Sequence, residues 1–403
     1  MNKNIIPFLL ILLLILTSCA PSFENQDEVV EDSTSEETGT ETAIIPRYSV
    51  SDQDYQVLLP YKLSQSRGVI VNQVANRLDI GAFEEGLRRH STDVFNPDDY
   101  YFQEGQKITS DIVYEWLERY SEDDEGRSNP LGLNPEIEGI DDDEFKELND
   151  DEKKIAEKRA IEAERNNPKY LSHILEQDYL IKSDDNSVQL AGISIGIAMK
   201  SHYRFVSPKG LTYYEDIDID TMLSEANRVA KEVVNRLRAR EELAEVPIMI
   251  AVYREAARND LVPGNFVRKA TVEGGSTSIG EWQAIDEEYV LFPSNEAEDK
   301  DPDMAANLDD FKKDIADYFP NYVGVIGKGF YIDDQLQKLT LEIPVQFSGK
   351  AEVNGFTQYV YGLVMEGFQN HFDLEINITS SDKQESLIFR KASNDEPTVH
   401  IYN

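Results

Sequence analysis

A chain of 403 residues with 77 Asp+Glu against 39 Lys+Arg carries a formal net charge of −38. That balance excludes a nucleic-acid-binding face, which needs clustered Lys and Arg, and it opposes docking on anionic lipid by charge alone. Apolar residues at 40% supply a core for roughly two or three domains, while one cysteine excludes a disulfide framework, a Cys-rich zinc site and a CxxC pair.

The chain opens with Met1-Asn2-Lys3-Asn4, followed by an apolar run from Ile5 to Leu16 and then Thr17-Ser18-Cys19. Such a run suits a signal peptide and falls short of the roughly 20 residues a spanning helix needs. Leu16-Thr17-Ser18-Cys19 has the form of a bacterial lipobox: an aliphatic residue, two small residues that fit a narrow protease site, and a cysteine. The only cysteine of the chain sits where a lipobox needs it. Cleavage between Ser18 and Cys19 by the lipoprotein signal peptidase is expected, with diacylglyceryl on Cys19 holding the mature chain at the outer face of the cell membrane.

From Glu24 to Glu41 there are eight acids and no Lys or Arg. Self-repulsion and scarce apolar surface predict a disordered tether over 19–47. Beyond it, residues 48–120 read as mainly helical in their later part (Ile112, Trp116 and Tyr120 at spacing four), with an extended stretch at Gly68-Val69-Ile70-Val71. Ser121 to Lys158 holds 15 acids against five bases. This region, 121–166, reads as an exposed insertion, with a solvated helix from about Asp141 to Asn166.

The remainder shows one order of elements twice. Ile193, Ile195, Ile197 and Met199 alternate with small or polar residues, as in a half-buried strand. A helix follows with Met222, Ala226, Val229, Val233 and Leu237 on one stripe, with Asp218 and Asp220 as N-cap candidates. Val246–Val252 reads as a central strand, and Phe266-Val267-Arg268-Lys269-Ala270 as another. After a helix opened by Asp301-Pro302-Asp303, the order returns: a strand through Leu341, Ile343, Val345 and Phe347, a helix through Phe356, Val360 and Val364, and strands at Leu374–Ile378 and Ile388–Ala392. Pro344 cannot donate to a ladder and places its strand at an edge. The expected fold is α+β: two related strand-helix-strand-strand halves with mostly antiparallel sheets, behind a helical N-terminal region and the tether. The second half begins near residue 273.

No chemistry stands out. His90, His173, His202, His371 and His400 show no paired ligand spacing, so no metal and no cofactor is expected. Gly324–Gly329 lacks the Ser or Thr of a phosphate loop and reads as turn chemistry, as does Gly274-Gly275. No catalytic residue can be singled out among so many carboxylates.

The lipobox, the acidic tether and the body from Tyr55-Gln56-Val57-Leu58-Leu59-Pro60-Tyr61-Lys62 through Ser66-Arg67-Gly68 to Ile401-Tyr402 together resemble the CamS family, the sex-pheromone precursor lipoproteins of Gram-positive Firmicutes. The resemblance implies a body without enzymatic activity in two CamS-like repeats, 48–272 and 273–403, after a signal peptide at 1–18. It also implies a short apolar pheromone cut from the end of the signal sequence, here Leu12, Leu13, Leu14, Ile15, Leu16, Thr17 and Ser18. Leu12-Leu13-Leu14 departs from the family's Ala-Ile-Phe start. From another class, a lipoprotein capturing a solute or peptide between its two halves is the alternative; an envelope hydrolase using two carboxylates would need a pocket that pushes their pKa values apart.

Overall fold

The structure, a computed structural model, describes residues 28–32, 41–46, 54–122, 128–137, 142–319, 321–381 and 383–402. The first half runs β1 (Glu28–Asp32), β2 (Glu41–Ile45), β3 (Gln56–Val57), α1 (Ile70–Gln73), α2 (Leu78–Ser91), β4 (Tyr101–Glu104), α3 (Ser110–Leu117), α4 (Asp142–Glu147), α5 (Asp150–Asn166), β5 (Leu171–Lys182), β6 (Ser187–Met199), β7 (His202–Val206), β8 (Thr212–Asp216), α6 (Ile219–Arg238), β9 (Ile248–Arg254), β10 (Asn265–Val272) and β11 (Gln283–Ala284). The second runs β12 (Glu287–Phe292), α7 (Asn295–Lys300), α8 (Pro302–Tyr318), β13 (Ile326–Ile332), β14 (Gln335–Pro344), α9 (Lys350–Gly367), β15 (Asp373–Ser380), β16 (Lys383–Arg390) and β17 (Thr398–Ile401).

The two main sheets share one topology. Strand order is β3-β4-β5-β6-β9-β10-β11 in the first and β12-β13-β14-β15-β16-β17 in the second, so the six strands from β4 to β11 correspond to the second sheet and β1, β2 and β3 are additions. In each set of six, a single parallel crossover joins the third and fourth strands through a helix (β6-α6-β9 and β14-α9-β15), and the other pairs within the set are antiparallel. The fold is α+β with two related halves. The likeness of Phe266-Val267-Arg268-Lys269-Ala270 to Ile388-Phe389-Arg390-Lys391-Ala392 is not where the relation lies. Arg268 pairs with Val252 near the end of β9, whereas Arg390 pairs with Leu374 near the start of β15, so the echoed residues occupy opposite ends of the hairpins.

The halves differ in what covers them. The first is three-layered. Ile193, Ile195 and Ile197 pack under α6, whose stripe Met222–Leu237 is fully buried and whose start is capped by Asp218 accepting from the Thr221 N–H at 2.9 Å. The opposite face of β6 carries Gly192, Ser194, Gly196 and Ala198, and α2 lies against it. A Cβ on Gly196 would stand 2.7 Å from the Phe83 ring, and the Ser91 and Ser194 hydroxyls meet at 2.6 Å. The half-buried reading of β6 is therefore corrected: its small residues make room for a second helix layer. In the second half, α8 and α9 cover one face, around Leu308, Phe311, Phe356 and Val360 on Leu341, Ile343, Leu374 and Ile376.

Five other expectations are corrected. Two segments of the expected tether are strands: β1 pairs with β2 and with β6, and Val30, Ala43 and Ile45 bury against Leu58, Leu180 and Val188, local apolar residues that the acidic average hides. Ile70 begins a helical turn instead of an extended stretch, because Val69 and Ile70 together turn into the core. The strand ending at Pro344 is central, between β13 and β15; proline is tolerated as its last residue, and Val345 donates onward to the Thr379 carbonyl at 2.9 Å. Gly327 and Gly329 lie inside β13, not in a turn, where Cβ atoms would press on Leu341 and Tyr331. The expected acidic helix is broken into α4 and α5 at Asn149, whose side chain forms a capping box with Glu152.

Candidate functional site

The lipidation and peptide residues Leu12, Leu13, Leu14, Ile15, Leu16, Thr17, Ser18 and Cys19 lie outside the described residues. Among the described residues the features that draw distant parts of the chain together lie at the junction of the two halves, which no sequence motif marks.

Glu287, the first residue of β12, anchors that junction. Its buried carboxylate accepts from Arg89 Nη2 at 2.7 Å and from the Phe266 N–H at 2.9 Å, and it meets His90 Nε2 at 3.1 Å. Burial alone would raise its pKa, but the His90 hydrogen bond and the Arg89 charge outweigh this and hold the carboxyl below its ordinary value of 4.5. The Arg89 guanidinium also lies 4.7 Å over the Phe330 ring, so one side chain from α2 grips two strands of the second sheet.

Beside this lock is a cleft of about 480 Å³ between the β9–β10 loop on one wall and β12 with the start of α7 on the other. The loop is held from below by α2. Asp79, fully buried, accepts from the Tyr253 hydroxyl at 2.8 Å, the Gly264 N–H at 2.7 Å and the Ala256 N–H at 3.2 Å. Asn76 donates to the carbonyls of Ala257 at 3.2 Å and Asp260 at 2.9 Å. These bonds fix a segment that has no regular structure of its own.

Glu255, in the same loop, is pushed up to about 7 by burial, against the opposing Lys200 charge and the Ser172 hydroxyl. One of its oxygens accepts from Ser172 and the other is buried without a partner. A second buried pair, Glu176 and Asp178 on β5, is raised by burial, and its oxygens accept from the Lys107, Ile108 and Gln106 N–H groups. The Glu176 and Asp178 carboxylates thus hold the segment between β4 and α3.

The histidines scatter. His90 is at the junction, while His173 is buried in β5 with both ring nitrogens unpartnered and its pKa pushed down to about 3 by burial. Among the described residues no group of three or more His, Cys, Asp or Glu is arranged to hold a metal ion.

The family described as CamS sex pheromone cAM373 precursor matches residues 61–396. The chain belongs to the CamS family. The solved structures agree. A sex pheromone precursor from Lactobacillus salivarius subsp. salivarius UCC118 is 31% identical with a TM-score of 0.76, covering 88% of this chain and 98% of that one. The C-terminal domain of the sex pheromone staph-cAM373 precursor from Staphylococcus aureus is 30% identical with a TM-score of 0.66, covering 82% of this chain and 99% of that one. No curated protein matches the sequence. The CamS match begins at Tyr61, downstream of the lipobox, so it speaks for the body and not for the anchor.

Proposed function

We propose that this chain is an extracytoplasmic CamS lipoprotein, anchored through diacylglyceryl on Cys19, whose cleaved signal peptide yields a short hydrophobic pheromone and whose body is not an enzyme. The observation that carries the reading is a CamS body joined to a chain whose sole cysteine completes Leu16-Thr17-Ser18-Cys19. Electrostatics support the anchor. A chain of net charge −38 is repelled by anionic headgroups, so membrane residence has to come from acyl chains. Two or more such chains anchor stably where one gives only marginal binding. Among the described residues no helix is long and apolar enough to cross a membrane. The non-enzymatic reading of the body is supported by the buried Glu176 and Asp178, which accept from the backbone N–H groups of Gln106, Lys107 and Ile108.

The test is Cys19→Ala. The variant is expected to leave the membrane fraction and collect in the soluble fraction or the medium, without the mass of an acylated N-terminus. Its quantitative recovery with membranes would overturn the anchor.

A further inference from the structure

We infer that the cleft between the two halves binds a short, extended peptide without charged side chains by its backbone and its free C-terminal carboxylate. Three features of the cleft point to this ligand class.

The first is an open strand edge. β12 ends the second sheet, with β13 as its only ladder partner among the described residues. Glu288 and Tyr289 are consecutive, so their side chains leave opposite faces, yet both line the cleft. The cleft therefore runs along the edge of the strand and not over one face. Half of the backbone N–H and C=O groups of an edge strand point away from its partner. Outside the β12–β13 ladder, no backbone hydrogen bond among the described residues reaches Glu288–Phe292. An extended peptide laid here gains a ladder of main-chain bonds.

The second is a free cation. Arg254, the last residue of β9, lines the cleft, its Nε is buried without a partner, and among the described residues its guanidinium has no ion pair. In a chain with 77 acids this is notable because four carboxylates, Glu255, Asp260, Glu288 and Glu296, line the cleft, and among the described residues none of them pairs with Arg254. Glu255 accepts from Ser172, Asp260 accepts from the Ala257 N–H at 2.8 Å, and Glu288 pairs with Lys300. Arg254 is left to take a carboxylate from outside, in the forked geometry that suits a terminal carboxylate.

The third is the rim. Asp260, Glu288 and Glu296 repel acidic side chains, while Leu261 stands 70% exposed at the mouth beside Val262 and Leu291. A peptide with apolar side chains and a single terminal carboxylate satisfies both. The volume falls within the usual range for ligand sites, roughly 300–1,000 Å³, and the loop wall is already fixed by Asp79 and Asn76, so little ordering is required on binding.

The chain's own Leu12–Ser18 fragment has this chemistry and serves as the probe. Only that choice of probe rests on the proposed peptide release; binding is measured with synthetic peptide, so its failure leaves release itself untouched. The complete mature chain from residue 19, made without lipid, is titrated with Leu-Leu-Leu-Ile-Leu-Thr-Ser as free acid and as C-terminal amide, with hydrogen exchange followed along the chain. The free acid is expected to bind and to protect amides of Tyr289–Phe292. Amidation and Arg254→Gln should each weaken binding at least about tenfold. Leu261→Asp, at an exposed position, should weaken it with no loss of stability and keeps the test valid if Arg254→Gln folds poorly. No binding of the free acid, equal binding of acid and amide, protection confined to other segments, or dimerisation of the chain through β12 would each overturn the proposal.

Discussion

Gly264→Ala is expected to destabilise the protein by about 2–3 kcal/mol, the range of a forced backbone shift at a packed site. A Cβ there would overlap the Arg254 carbonyl oxygen and stand 2.8 Å from the Ala256 nitrogen, both backbone atoms that no rotamer change can move. The shift would also drag the Gly264 N–H off buried Asp79, which is left with one hydrogen bond fewer. Gly81→Ala is the matched control. Gly81 lies exposed in α2 with nothing within 4 Å of its Cβ position, and alanine there should stabilise by about 0.5–1 kcal/mol through helix propensity. Urea unfolding of both variants decides: a Gly264→Ala cost below about 1 kcal/mol would contradict the close approach of loop and strand.

Glu287→Ala is expected to cost about 3 kcal/mol, the lower end for breaking a buried ion pair because the Arg89 side chain is 36% exposed. The loss strands Arg89, His90 and the Phe266 N–H together, and it removes the bonds that tie α2 and β10 to the second sheet. Acid should reproduce part of this effect in the wild type. The folded-state pKa of Glu287 is depressed, so its contribution is fully present above the ordinary value of 4.5 and is lost as pH falls through the folded value. The stability gap between wild type and Glu287→Ala should therefore close below pH 4.5 and stay constant above it. A gap that is insensitive to acid would show that the lock is not electrostatic.

Elements whose signal is local were legible in the sequence. Asp218 and the Met222–Leu237 stripe define α6, Asp301-Pro302 defines the start of α8, and the all-apolar run before Val252 defines a central strand. The repeat was legible in its order of elements. Misreadings came where a local rule met a tertiary reason. The glycines and alanines of β6 looked like an exposed face but admit α2, and Pro344 looked like an edge marker but closes a central strand. The acidic average of the N-terminal segment concealed Val30, Ala43 and Ile45.

The junction was not legible at all. Glu287 and His90 are separated by 197 positions, and Glu287 is one of 77 acids with nothing local to distinguish it. Arg254 likewise becomes distinct only when its neighbours' partners are known.

The central claim is that this CamS chain is the source of a secreted peptide. Mass spectrometry of culture supernatant tests it most directly. On the proposed function, lipoprotein processing would leave a signal fragment ending at Ser18, and a second cut near Leu12 would free a segment too short to hold in the bilayer as a spanning helix. Leu-Leu-Leu-Ile-Leu-Thr-Ser, or a neighbour sharing its Ser18 terminus, is expected in wild-type medium and absent when the gene is deleted. Its absence from wild-type medium, with the lipoprotein abundant and a spiked synthetic peptide detected, would contradict the account.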